Sequence, residues 1–213
     1  MRSRRIFIAI IGVLALSTFL VASGRVRNAS IWRTSVASVA QAGDTGAPRA
    51  ADESDARDVL IAPHHAARAP ALSAGAWINS ETLKLDALRG RVVIVDFWTF
   101  GCYNCRNTLP ALKGWDARYR DKGLTIIGVH TPESGYEKSI ENVRRAVREQ
   151  NVRYPVVTDN DAETWRAYGI EAWPTTVILD KKGRIRFRHI GEGYYAEMEK
   201  VIQKLLAEEF AAG

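Results

Sequence analysis

Cysteine is nearly absent: the 213-residue chain has two, Cys102 and Cys105, with two residues between them. One short pair cannot staple distant segments, so a disulfide scaffold is excluded. Nor can two thiolates alone complete a tetrahedral zinc site. Whatever chemistry the pair does is local. A strongly basic folded region is also missing. The formal charge is +6, but residues 1–70 hold nine Lys and Arg against five Asp and Glu, and residues 71–213 hold twenty-one against nineteen. Most of the excess precedes the folded part, which argues against a nucleic-acid partner, because a binding face concentrates charge on the domain that binds. There is no internal repeat, and the length suits one globular domain plus extra segments.

Long apolar runs are scarce as well; there is one. Arg2, Arg4 and Arg5 precede Ile6 to Leu16, and the run continues through Ser17 and Thr18 to Ala22. A positive start and an uninterrupted apolar stretch predict a signal peptide or an N-terminal membrane anchor over residues 1–23, with the rest periplasmic or otherwise extracytoplasmic. Ser3-Arg4-Arg5-Ile6-Phe7-Ile8 resembles a twin-arginine export signal. Val21-Ala22-Ser23 and Ala40-Gln41-Ala42 both offer small-residue cleavage sites, so cleavage and anchoring stay open. Residues 24–70 turn to Ala, Ser, Arg, Asp and Gly with Pro48, Pro63 and Pro70 and no periodicity, which predicts a flexible linker. His64-His65 lies within it as a solvated pair.

The folded domain is expected over residues 71–213. Trp77 to Leu85 alternates loosely and suggests an N-terminal hairpin or short helix. Val92-Val93-Ile94-Val95-Asp96-Phe97-Trp98 has the composition of a strand covered on both faces. Leu109, Leu112, Trp115 and Tyr119 recur at helical spacing, predicting a helix from about Cys102 to Tyr119. Leu124 to His130 is a second buried strand. Ile140, Val143 and Val147 give an amphipathic helix over Glu137 to Gln150. A short strand over Val152 to Val157, a short helix over Ala162 to Tyr168, a strand pair (Thr176 to Asp180, Ile185 to His189) and a closing helix over Ala196 to Glu209 complete the pattern. This order, strands alternating with helices and then a strand pair and a helix, predicts an α/β sheet sandwich.

The chemistry sits where the first long strand meets its helix, in Phe97-Trp98-Thr99-Phe100-Gly101-Cys102-Tyr103-Asn104-Cys105-Arg106. A cysteine at a helix start has its thiolate stabilised by unpaired N–H groups and the helix dipole. Cys102 is thus the expected nucleophile. Cys105, almost one turn further on, is placed to attack a mixed disulfide on Cys102.

This stretch resembles the thioredoxin active-site signature, and the resemblance extends to Asp96 in its strand, Pro110 in the helix and Trp173-Pro174-Thr175 before a later strand. More closely, Asp96-Phe97-Trp98-Thr99, Gly128-Val129-His130-Thr131-Pro132-Glu133, Tyr168-Gly169 and Trp173-Pro174 are similar to the TlpA/ResA-like periplasmic thiol–disulfide oxidoreductases, in particular the thioredoxin domain of DipZ-type proteins. The similarity covers about residues 76–207. It implies a thioredoxin fold, a central mixed β-sheet flanked by helices with an N-terminal hairpin extension and an inserted helix, and a protein-disulfide reductase. Asp96 would move a proton to or from Cys105. Pro174 would be cis beside the cysteines, and the backbone of Trp173 would pair with substrate. Tyr103 and Asn104, between the cysteines, would tune potential and partner choice. The absence of His between them tilts the pair toward reduction.

The implied partners are proteins carrying disulfides or thiols and a CcdA/DsbD-like membrane electron donor, in a task of the cytochrome c maturation type. No bound cofactor and no metal is implied. Two other functions fit parts of the pattern. Thr99-Phe100-Gly101-Cys102 matches the Thr-x-x-Cys of thiol peroxidases, although Val95 stands where their motif has proline. A copper(I) chaperone could use both thiolates with His130 or His189, although such relatives space their cysteines by three residues.

Overall fold

The structure is a computed structural model that describes residues 60–73 and 75–210. Its centre is a strand that meets solvent on neither face. Every residue of β2 (Val92–Trp98) is buried. Parallel β3 (Leu124–His130) lies on one side, with Val92 opposite Leu124 and Trp98 opposite His130. Antiparallel β5 (Thr175–Leu179) lies on the other, with Phe97 opposite Thr175. Two further strands continue the sheet outward, β4 (Val156–Thr158) parallel to β3 and β6 (Ile185–Ile190) antiparallel to β5. With β1 (Trp77–Ile78) against β4, the order is β1-β4-β3-β2-β5-β6. The mixed, helix-flanked sheet implied by the thioredoxin resemblance is therefore present.

Alternation along β2 divides the core into two. Val92, Ile94 and Trp98 face helices α1 (Tyr103–Tyr119), α2 (Ile140–Glu149) and α4 (Tyr195–Ala207), meeting Leu109, Leu112, Val143, Val147, Val201 and Leu205. Val93, Val95 and Phe97 face the other way, against Tyr168, Ile170 and the partly buried Leu72, Trp77, Leu83, Leu85 and Leu88. Helix α3 (Glu163–Ala167) borders this second face. The helices follow the apolar stripes predicted for them, with Met198, Val201, Ile202 and Leu205 of α4 buried at three- and four-residue steps.

Several boundaries differ from expectation for local reasons. Of the hairpin or short helix expected from Trp77, the hairpin does not form: a two-residue strand pairs with β4, and a 3₁₀ helix runs over Leu85–Leu88. Asn79, at a positive φ of 67°, turns the chain away before a return strand can form, and its side-chain amide donates to the carbonyls of Val152 and Tyr154. Strand β4 starts four residues later than predicted, since Asn151 has a positive φ and Pro155 has no N–H for a ladder. The inserted helix starts at Ile140 because Ser139, extended at φ −68° and ψ 123°, caps it by accepting from Asn142 N–H. Most of the linker expected over residues 24–70 lies outside the described residues, as do the apolar run and both cleavage sites. Of that linker, residues 61–69 run beside β6: Ile61 N–H donates to the Arg186 carbonyl, Ile185 N–H to Ala67 and Ala69 N–H to Gly183.

Buried Asp159 ties this N-terminal segment to the sheet. Its carboxylate accepts from Ser73 Oγ at 3.2 Å, Thr131 Oγ1 at 3.1 Å, and the N–H groups of Thr164 and Trp165 that open α3. Removing it strands buried donors. Asp159→Ala is expected to lower unfolding free energy by about 3 kcal/mol in urea titrations, against less than about 1 kcal/mol for Arg68→Ala, whose ion pair with Asp86 is exposed.

Candidate active site

Strand β2 delivers the chain to the start of α1, and the two cysteines meet there. Cys102 is the N-cap: its backbone is extended at φ −69° and ψ 122°, and its sulfur accepts from Cys105 N–H at 3.2 Å. Cys102 and Cys105 are joined as a disulfide, with Cα atoms 5.3 Å apart. Cys102 is partly exposed and Cys105 is 2% exposed. An incoming thiolate can therefore reach the first sulfur and not the second, which makes the pair chemically unequal. In the reduced state the free N–H groups at the head of a 17-residue helix would favour negative charge on Cys102.

Asp96 alternates with Ile94 and Trp98 and so shares the α1 face of the sheet with Cys105. It is 1% exposed. Burial pushes its carboxyl up to about 7, opposed by a hydrogen bond from Thr176 Oγ1 at 3.1 Å. A group that exchanges its proton near neutrality on the sheet face that also buries Cys105 is suited to proton transfer. Trp173 and Pro174 come next to the site through strand register, because β5 begins at Thr175 opposite Phe97. The Trp173–Pro174 bond is cis, Pro174 is buried and Trp173 is partly buried. The Trp173 indole lies against that of Trp165, centroids 4.3 Å apart. Tyr103 is 69% exposed and Asn104 is exposed. The Arg106 guanidinium sits 5.9 Å from the Tyr103 ring centre. All seven residues singled out in the sequence thus lie on β2, on the first turn of α1 or on the turn into β5.

One residue of this region, Glu137, carries no role in the sequence pattern, and another, His130, enters it only as a copper(I) ligand of one alternative. Glu137 is buried, and its carboxylate accepts from the N–H of Gly101 at 3.1 Å, next to Cys102, and from Glu133 and Ser134 N–H. Ser134 and Glu137 form a capping box, a pattern readable as Ser-x-x-Glu. His130 ends β3 as expected, but it is fully buried. Its Nε2 lies 3.2 Å from Thr99 Oγ1 and its ring stacks on Phe100, centroids 5.3 Å apart. Burial holds the imidazole down at about 4, against the charge of Glu137, which pulls it up.

Comparison with known proteins places this geometry. A model of the AhpC/TSA family matches residues 66–188. Protein DipZ of Mycobacterium bovis is 38% identical over 133 residues, covering 61% of this chain but 19% of DipZ, so the chain spans about a fifth of that relative. The thiol-disulfide oxidoreductase YkuV of Bacillus subtilis is 25% identical over 133 residues, covering 62% of this chain and 89% of YkuV. The structure of a thiol-disulfide isomerase from Corynebacterium glutamicum superposes with a TM-score of 0.61 at 27% identity, over 66% of this chain and 98% of that one.

Asp96 and His130 have opposite effects on stability. The folded state raises the Asp96 value above 3.8, so Asp96 favours folding at low pH and this is lost as pH rises toward 7. It lowers the His130 value below 6.5, so His130 favours folding at higher pH and this is lost as pH falls toward 4. Between these limits the two slopes nearly cancel. From pH 4.5 to 6.5, Asp96→Asn is expected to gain stability relative to wild type by about 1.4 kcal/mol per pH unit, and His130→Gln to lose a similar amount, in urea titrations at both pH values.

Proposed function

The chain belongs to the AhpC/TSA family, among its thioredoxin-like thiol–disulfide oxidoreductases, and from that premise we propose that it reduces protein disulfides in an extracytoplasmic space. The observation that carries the mechanism is the unequal pair: a partly exposed Cys102 at a helix N-terminus and a buried Cys105 on the same face as a carboxyl that titrates near neutrality. In the reduced enzyme the Cys102 thiolate attacks a substrate disulfide, forming a mixed disulfide and releasing one substrate thiolate. Asp96 accepts the proton of Cys105. The Cys105 thiolate then attacks Cys102 Sγ, releasing the second substrate thiolate. Two electrons have passed to the substrate, and the enzyme is left as the Cys102–Cys105 disulfide. Trp173 offers backbone to the substrate chain beside Pro174, and exposed Tyr103 and Asn104 meet it from the helix side.

The location rests on Arg2, Arg4 and Arg5 ahead of the apolar run from Ile6, which lies outside the described residues. Among the described residues no helix is long and apolar enough to cross a membrane. In an oxidising compartment the pair must be recharged, so a membrane-borne dithiol donor of the CcdA/DsbD kind is the second partner, and apocytochrome c is a fitting substrate class. The peroxidase alternative gains nothing from Thr99, which is buried with its hydroxyl engaged by His130. The copper alternative gains nothing from His130, whose Nε2 faces Thr99, and among the described residues no group of three or more His, Cys, Asp or Glu side chains is gathered for a metal.

With the full-length chain, Cys105→Ser is expected to accumulate mixed disulfides with protein substrates on non-reducing gels, and Cys102→Ser to form none. Equal trapping by both variants would remove the assigned roles. Residues 1–70 fused to a reporter active only outside the cytoplasm should yield activity. An inactive but intact fusion would contradict the location.

A further inference from the structure

Glu137 sets a carboxylate on the backbone of the residue that precedes the nucleophile. Its carboxylate is the shared acceptor for three backbone donors: Gly101 N–H on Oε1 at 3.1 Å, and Glu133 and Ser134 N–H on Oε2 at 2.6 and 3.1 Å. One of these belongs to the residue before Cys102, and the other two to the turn that follows β3. Every partner donates and both oxygens accept, so the site suits a carboxylate and not an amide, whose NH₂ would face at least one N–H. Gly101 belongs to the same arrangement, since a Cβ there would collide with Glu137 Oε1. Among the described residues no Lys or Arg forms an ion pair with Glu137. His130, near enough to feel its charge, is neutral at pH 7. The result is a buried carboxylate held by backbone N–H groups, with no counter-cation among the described residues, on the residue that leads into Cys102.

We propose that Glu137 is a positioning residue that sets the redox poise of the couple: it fixes the loop entering Cys102, and its charge disfavours the reduced, thiolate-bearing form. This deepens the reading of the chain as a reductant and rests on it. Reduction adds two electrons and up to two protons to a neutral disulfide and leaves Cys102 able to ionise. A fixed anion therefore penalises only the reduced side, and the pair gives up its electrons more readily. The helix N-terminus acts in the opposite sense. Loosening of the loop alone would misalign that N-terminus and destabilise the thiolate, so the electrostatic role and a merely structural one predict shifts of opposite sign.

The test measures the dithiol:disulfide ratio of the full-length chain in glutathione buffers at pH 7, together with the rate of Cys102 alkylation. Glu137→Gln is expected to shift the ratio about tenfold toward dithiol, about 30 mV less negative, and to speed alkylation in parallel. Glu137→Asp, which keeps the charge, should stay within about threefold of wild type, and Gly101→Ala, which displaces the carboxylate, should move with Glu137→Gln. A Glu137→Gln ratio unchanged within about twofold, or shifted toward disulfide, overturns the proposal. Should that variant not fold, the other two decide: a Gly101→Ala shift toward dithiol without a Glu137→Asp shift supports it, and a wild-type ratio or a shift toward disulfide for Gly101→Ala overturns it. If the wild-type couple itself is oxidising while the Glu137→Gln shift persists, the reductant reading fails and the role of Glu137 stands.

Discussion

The structure depends on covering both faces of one strand. Seven successive residues, Val92–Trp98, are withheld from water, and a strand of that kind is stable only as the middle of a layered sheet. Helices α1, α2 and α4 cover one face. Leu72, Trp77, Leu83, Leu85 and Leu88, with Trp165 and Tyr168, cover the other. Asp96 has no exit from this arrangement. Its alternation puts it on the helix-covered face, and burial keeps its proton bound to near neutral pH. The feature that makes the strand central is thus the one that makes its single carboxyl an acid–base group.

The same strand sets the direction of the chemistry. It ends at the head of α1, where a chain leaving a buried sheet must turn and where the first N–H groups lack carbonyl partners one turn earlier in the helix. Cys102 occupies the cap and Cys105 the buried turn behind it. Charge around the pair is balanced between opposites. The helix head favours a thiolate. Glu137 fixes an anion on the approaching loop, and His130, which could have neutralised that anion, is kept uncharged by its burial. Because these groups lie on β3, on the turn after it and on α1, the redox centre is a property of the fold and not of the Cys-x-x-Cys spacing alone.

Where side-chain pattern and structure coincide, the sequence was readable. The β-branched run of β2, the stripes Leu109, Leu112, Trp115 and Val143, Val147, and the cysteine pair at a strand-to-helix junction are all local signals. Trp173-Pro174 was legible only through family resemblance, since nothing in the residues themselves shows that β5 will lie antiparallel to β2 and bring them to its end. Residues 61–69 were missed because they join β6 through backbone hydrogen bonds, which require no apolar alternation. The hairpin gave way to an edge strand because the pairing of Trp77 and Ile78 with residues 156 and 157 is a tertiary choice. Glu137 announced itself as Ser-x-x-Glu, but its reach to Gly101, 36 positions earlier, could not be read from either segment.

Direction of electron flow is the centre of this account, and one number tests it: the reduction potential of the Cys102/Cys105 couple in the full-length chain, equilibrated against dithiothreitol and glutathione buffers. A buried resolving thiol, no histidine between the cysteines and an anion beside the nucleophile together predict a value of about −270 mV or lower. A value near about −120 mV would contradict the account, because such a couple takes electrons from its partners.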